Sequence, residues 1–214
     1  EFGLAWSNGP SGIKQIWFGR ISAQGAVIGS HLQVSDAAEG AWYPSMLWTG
    51  SEFGLTWWQA EGSYRQVHLA RISEAGTILG SSAGVGIMET SGFPPFIGWG
   101  GGEFLVCTSD GTAQTCARLS GEGSPISSAI DLSSLGYVPS RLVWNGSIFG
   151  QSWQAMVDEN SEILLGALDP GMWGPGWRGR GPGASARSPP RSWRRADRAG
   201  GSTQGTTPWR TRPT

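Results

Sequence analysis

Apolar residues along this chain come in short runs, bounded by Gly, Ser, Asn or Asp, and nowhere keep a helical spacing over 10–15 residues. Runs of this length and bounding predict β-strands joined by tight turns. The runs also repeat. Trp48-Thr-Gly-Ser-Glu-Phe53-Gly-Leu-Thr-Trp57 returns as Trp144-Asn-Gly-Ser-Ile-Phe149-Gly-Gln-Ser-Trp153. A blurred copy runs from Trp99 to Thr108, and Glu1–Trp6 enters partway through the motif.

Aligned on these copies, each unit begins with an aromatic residue (Trp42, Phe93, Tyr137) and a proline soon after (Pro44, Pro94 or Pro95, Pro139). A first strand ends in Trp48, Trp99 or Trp144, and a second starts at Phe2, Phe53, Phe104 or Phe149, spaced by 51, 51 and 45 residues. The third ends in Arg20-Ile-Ser22, Arg71-Ile-Ser73 or Arg118-Leu-Ser120. A turn at Gly25, Gly76 or Gly123 leads to a fourth, as in Ala26–Gly29 and Thr77–Gly80. Four short strands per ~50 residues is the spacing of propeller blades. Leu55-Thr-Trp-Trp58 carries apolar groups on both faces, which suits a sheet sandwiched between neighbouring sheets.

The expected fold is therefore all-β: a partial β-propeller of about three and a half four-stranded blades, near residues 1–41, 42–91, 92–136 and 137–171. A ring usually needs four to eight blades. Open blade faces and edge strands then favour self-association.

Composition changes the picture at one place. Glycine, 35 of 214 residues, is about twice ordinary usage and fits many turns. Residues 1–171 carry 15 acidic against 6 basic side chains, whereas 172–214 carry nine Arg, four Trp and a single acid, Asp197. That tail lacks Lys, Ile, Leu, Val, Phe and Tyr, so it is expected to be disordered. The array stops mid-blade near Gly171–Met172, which points to a shifted reading frame; other frames should then restore a fourth strand and another Trp-x-Gly-Ser motif. The functional alternative is a basic arm for nucleic acid or membrane, with Arg on phosphates and Trp stacking. No run of ~20 apolar residues predicts a membrane-spanning helix, and no signal-peptide pattern precedes the repeats.

Candidate chemistry is sparse. A Trp at a fixed strand position most economically fills the core between blades; Trp17 and Trp58 fall off the repeat and are the ligand-binding candidates. Cys107 and Cys116 flank a hairpin turn. With a loop at Asp110–Ala113 they face each other and can form a disulfide, implying an oxidising compartment, whereas an Asp110-Gly111 turn separates them. Two buried thiols are the other reading. His31 and His68 read as surface residues. Glu52 and Glu103 recur with Glu1 at a turn and read as solvated. No nucleophile elbow, zinc-protease motif, phosphate loop or calcium loop occurs. Catalytic residues, metal ligands and cofactors are accordingly expected to be none.

Residues 44–57, Pro-Ser-Met-Leu-Trp-Thr-Gly-Ser-Glu-Phe-Gly-Leu-Thr-Trp, with Ala70–Gly80, resemble Trp-rich propeller repeats of large exported proteins from myxobacteria and related bacteria. The resemblance covers residues 1–171 and implies a β-propeller and export, to the periplasm, cell surface or medium. It carries over no ligand or catalytic residue. The Gly-His and Trp-Asp marks of WD40 blades are missing. The resulting expectation is a non-catalytic binding or scaffolding module for a protein or carbohydrate ligand. A lectin-like propeller and a fragment of a glycan-active hydrolase are the alternatives.

Overall fold

The computed structural model describes residues 1–80, 84–90, 92–111, 113–131, 138–157 and 160–168. Tyr137, Thr112 and the tail from 169, with the expectations placed on it, lie outside the described residues. Among the described residues every regular element is a strand.

Four antiparallel sheets follow one another along the chain. The first holds β1 (Phe2–Asn8), β2 (Gln15–Ile21) and β3 (Val27–Gln33). The second holds β4 (Ala41–Trp48), β5 (Glu52–Glu61), β6 (Tyr64–Ser73), and β7 (Ile78–Leu79) with β8 (Val85–Thr90), both paired to β6. The third holds β9 (Phe93–Gly100), β10 (Glu103–Ser109), β11 (Gln114–Ser120) and β12 (Ile130–Asp131). The fourth holds β13 (Val138–Trp144), β14 (Phe149–Val157) and β15 (Asn160–Leu168). The expected fourth strand at Thr77–Gly80 is present as the short β7, and β8 is a further strand on β6; Gly80 and Gly84 adopt φ of 85° and 75°.

The Arg-Ile/Leu-Ser signature is turn chemistry. Gly25, Gly76 and Gly123 each donate their N–H to the carbonyl of Ser22, Ser73 or Ser120, at 3.0, 2.9 and 2.8 Å. All three glycines sit at φ of 83–86°, where a Cβ is strained, so the same turn closes three sheets.

Core forms between successive sheets. Along β5, Phe53, Leu55 and Trp57 join Ile16 and Phe18 of the first sheet, while Trp58 on the other face joins Ile97, Phe104 and Val106 of the third. β10 alternates likewise, sending Leu105 and Cys107 to Phe149 and Leu168 of the fourth sheet. The repeat phenylalanine nests against glycine of the sheet before it. A Cβ on Gly3 would meet Phe53 at 2.6 Å, and one on Gly54 would meet Phe104 at 2.5 Å. In the third sheet the matching position is Leu105, and Phe149 lies instead over Gly98, which pairs with Leu105 across the strands.

Of the leading tryptophans, Trp99 and Trp144 pack against the cores between sheets, as expected, and Trp48 does not. Trp48, Trp99 and Trp144 tilt onto Phe53, Phe104 and Phe149 across the first strand pair, at 4.7, 4.5 and 4.8 Å between ring centroids. Trp99 and Trp144 are half-buried, and Trp48 is 44% exposed. Among the described residues β1 pairs only with β2, and its Phe2 and Leu4 are exposed too. Trp57, which follows the phenylalanine, is fully buried.

Candidate functional site

A cleft of about 820 Å³ opens where the β5–β6 and β10–β11 hairpins turn. Its position follows from local sequence. Glu61-Gly62-Ser63-Tyr64 makes a tight turn, with Gly62 at φ 64°, and brings Tyr64 and Arg65 to one wall. Glu39 fixes that turn by accepting the Gly62 N–H at 2.7 Å.

A second wall comes from β4. Its pairing with β5 shifts between Trp42 and Ser45, a bulge containing Tyr43-Pro44. Tyr43 sits at φ 57°, the left-handed region that side chains avoid, and the residue is 54% exposed. It meets Trp58 edge-on, centroids 5.0 Å apart at 82°. Arg65 Cζ lies 4.8 Å from the centroid of the same indole. Trp58 is therefore a clamped floor, 6% exposed, rather than the surface residue expected, and its Nε1 has no acceptor among the described residues.

The far wall belongs to the third sheet. The β10–β11 register pairs Ser109 with Gln114, leaving a loop from Asp110, whose N–H reaches the Ala113 carbonyl at 3.1 Å. That register sets Cys107 opposite Cys116, and their sulfurs are bonded with Cα atoms 4.1 Å apart. The bond ties the base of the hairpin that gives Thr108, Ser109, Asp110 and Thr115 to the cleft. Thr108 Oγ1 donates to the Phe93 carbonyl at 2.7 Å and lies 2.9 Å from Thr90 Oγ1, which stitches β8, β9 and β10 together.

Beside the cleft, Tyr64 donates its hydroxyl to Glu61 Oε2 at 3.2 Å, and Glu61 Oε1 is 3.2 Å from His68 Nε2. This bond to Glu61, with its charge, raises the Tyr64 pKa above the ordinary phenol value. His68 is buried and stacked on Trp57, contrary to the surface position expected; burial holds its pKa below 6.5 despite the opposing pull of Glu61. With Nε2–H donated to Glu61, the buried Nδ1 has no partner among the described residues. His31 is exposed against Trp6.

Trp17 lies apart from this cleft, half-buried on β2 opposite Trp6. Glu52 and Glu103 are not the solvated acids expected. Arg71 clasps Glu52 through two hydrogen bonds of 2.6 and 2.8 Å, and Arg118 clasps Glu103 at 2.7–2.9 Å. Among the described residues no cluster of three His, Cys, Asp or Glu could hold a metal, and no helix is long and apolar enough to cross a membrane.

The cleft thus joins aromatic faces to a rim of hydroxyls, with one guanidinium and two carboxylates, Glu89 and Asp110. Such a surface binds by stacking and hydrogen bonding. No protein-family model and no curated protein matches the chain.

Proposed function

We propose that this chain is a non-catalytic binding module of an exported bacterial protein, built from consecutive β-propeller blades, with its ligand in the cleft over Trp58. The observation that carries the binding role is Tyr43: an exposed aromatic residue, held at positive φ by a bulge, on the wall of a cleft of about 820 Å³. A non-glycine residue held in the left-handed region at an exposed position points to function. The propeller reading is supported by the four successive antiparallel sheets and the phenylalanine nested between each pair. Export is supported by the Cys107–Cys116 bond. The open edge of β1, with Phe2 and Leu4, supports self-association.

The test is a thermal-shift screen with neutral oligosaccharides, sulfated oligosaccharides, choline and short peptides, on the chain and on Tyr43→Gly. A ligand that raises Tm for the chain but not for the variant, and emerges chemically unchanged, is the expected result. Ligands that stabilise both proteins equally would place binding elsewhere, and turnover would favour the hydrolase reading, with Glu89 and Asp110 as its acids.

A further inference from the structure

We infer that the cleft takes a neutral saccharide, its pyranose rings stacked on Tyr43 and Tyr64. This rests on the cleft being the binding site, and adds the ligand's chemistry.

The two tyrosines both come from the second sheet, Tyr43 on β4 and Tyr64 at the start of β6; they are 54% and 43% exposed, and both are held in place. Tyr43 is braced edge-on against Trp58, and Tyr64 is tied to Glu61 through its hydroxyl. Rigid, exposed phenol rings offer large contact area with little rotamer freedom to lose. A pyranose presents one C–H face to such a ring and turns its hydroxyls outward. The rim meets hydroxyls with like partners: Ser63 and Thr115 on opposite walls, and the carboxylate of Glu89 as an acceptor. The volume of about 820 Å³ lies within the range of small-ligand sites, roughly 300–1,000 Å³, and an open cleft suits a chain of sugars.

Charge argues against the other ligands that aromatic clefts take. A quaternary ammonium is held best over the face of an indole. The Arg65 guanidinium already lies over Trp58 and would repel a second cation. A phosphate or sulfate ligand would meet two carboxylates, Glu89 and Asp110, against the one guanidinium. Nucleic-acid sites instead gather basic groups around their aromatic platforms. An uncharged ligand with alternating apolar and hydroxyl faces is what remains.

Calorimetry with hexasaccharides of β-1,4-linked glucose, N-acetylglucosamine, xylose and mannose tests this, with choline and a sulfated hexasaccharide alongside. Tyr43→Gly removes one ring while relieving its positive φ, so folding is spared. Tyr64→Ala removes the other ring from an exposed turn. At least one neutral hexasaccharide should bind, and each variant should weaken it by at least about tenfold. Binding untouched by both variants would overturn the proposal. Binding of choline or the sulfated sugar alone, lost in the variants, would overturn the saccharide while keeping the cleft as a binding site. Silence of every probe on the folded chain would overturn the saccharide and count against the cleft.

Discussion

Phe104 of the third sheet lies over Gly54 of the second so closely that a Cβ at Gly54 would stand 2.5 Å from the ring. The contact couples two repeats through one missing side chain. Gly54→Ala must move Phe104 or Ile97, and overpacking of this kind costs about 1–3 kcal/mol. Gly98→Ala, which meets Leu142 and Phe149, should cost as much. Gly150→Ala is the control: it holds the repeat position of Gly54, meets only the Val143 carbonyl among the described residues, at 3.6 Å, and should be neutral within about 0.5 kcal/mol. Urea midpoints of the three variants check the order; equal losses at all three would remove the nesting account.

The doubled Glu–Arg clasp should be worth measuring at one site. Glu52 and Arg71 are 12% and 22% exposed at their side chains, and the geometry is bidentate. Glu52→Gln is expected to cost about 1 kcal/mol, with a double-mutant cycle against Arg71→Gln returning most of it as coupling. Zero coupling would make the repeat of these residues accidental. The fourth sheet lacks both partners together, with Ile148 before Phe149 and Ala167 opposite Gly150.

Cys107–Cys116 closes a short loop, nine residues apart in sequence, and both cysteines are fully buried. Loop-closure entropy for so short a span stabilises by about 2–3 kcal/mol. Replacing both by Ala should lower Tm and loosen the hairpin that walls the cleft. In the native chain a thiol reagent should find no free sulfhydryl, before or after denaturation without reductant. Two reactive thiols on denaturation would contradict the bond.

His68 makes stability depend on pH. Its folded pKa lies below the unfolded value of 6.5, chiefly through burial, so the folded state favours the neutral ring. The contribution is complete above pH 6.5 and is lost as pH falls through the folded pKa. Between pH 7.5 and 5.5 the chain should lose more stability than His68→Gln, which cannot titrate. An equal loss in both would assign the pH effect elsewhere.

Strands, turns and repeat spacing were legible because each depends on neighbours along the chain. Ser-x-x-Gly turns and strand-leading phenylalanines read directly from spacing, and two-faced apolar runs such as Leu55–Trp58 foretold the sandwiched sheets. The site was less legible because its residues meet across sheets. Trp58 drew notice for falling off the repeat, but Tyr43 stands next to the leading aromatic Trp42 and only the bulge, which spacing does not show, sets it apart. Tyr64 and Arg65 carry no repeat signal; the Gly62-Ser63 turn before them was their only mark. The Glu–Arg clasps were readable in principle, since both members recur and vanish together. Reading Glu52 and Glu103 as turn residues alone missed that.

The most direct measurement is the indole N–H resonance of Trp58, assigned by its loss in Trp58→Phe, during titration with a neutral hexasaccharide. That nitrogen lies in the floor beneath Tyr43 and Arg65 and has no acceptor among the described residues. A saturable shift of this signal, abolished in Tyr43→Gly, is the predicted result. A signal that stays fixed while the saccharide shifts residues elsewhere would contradict the site.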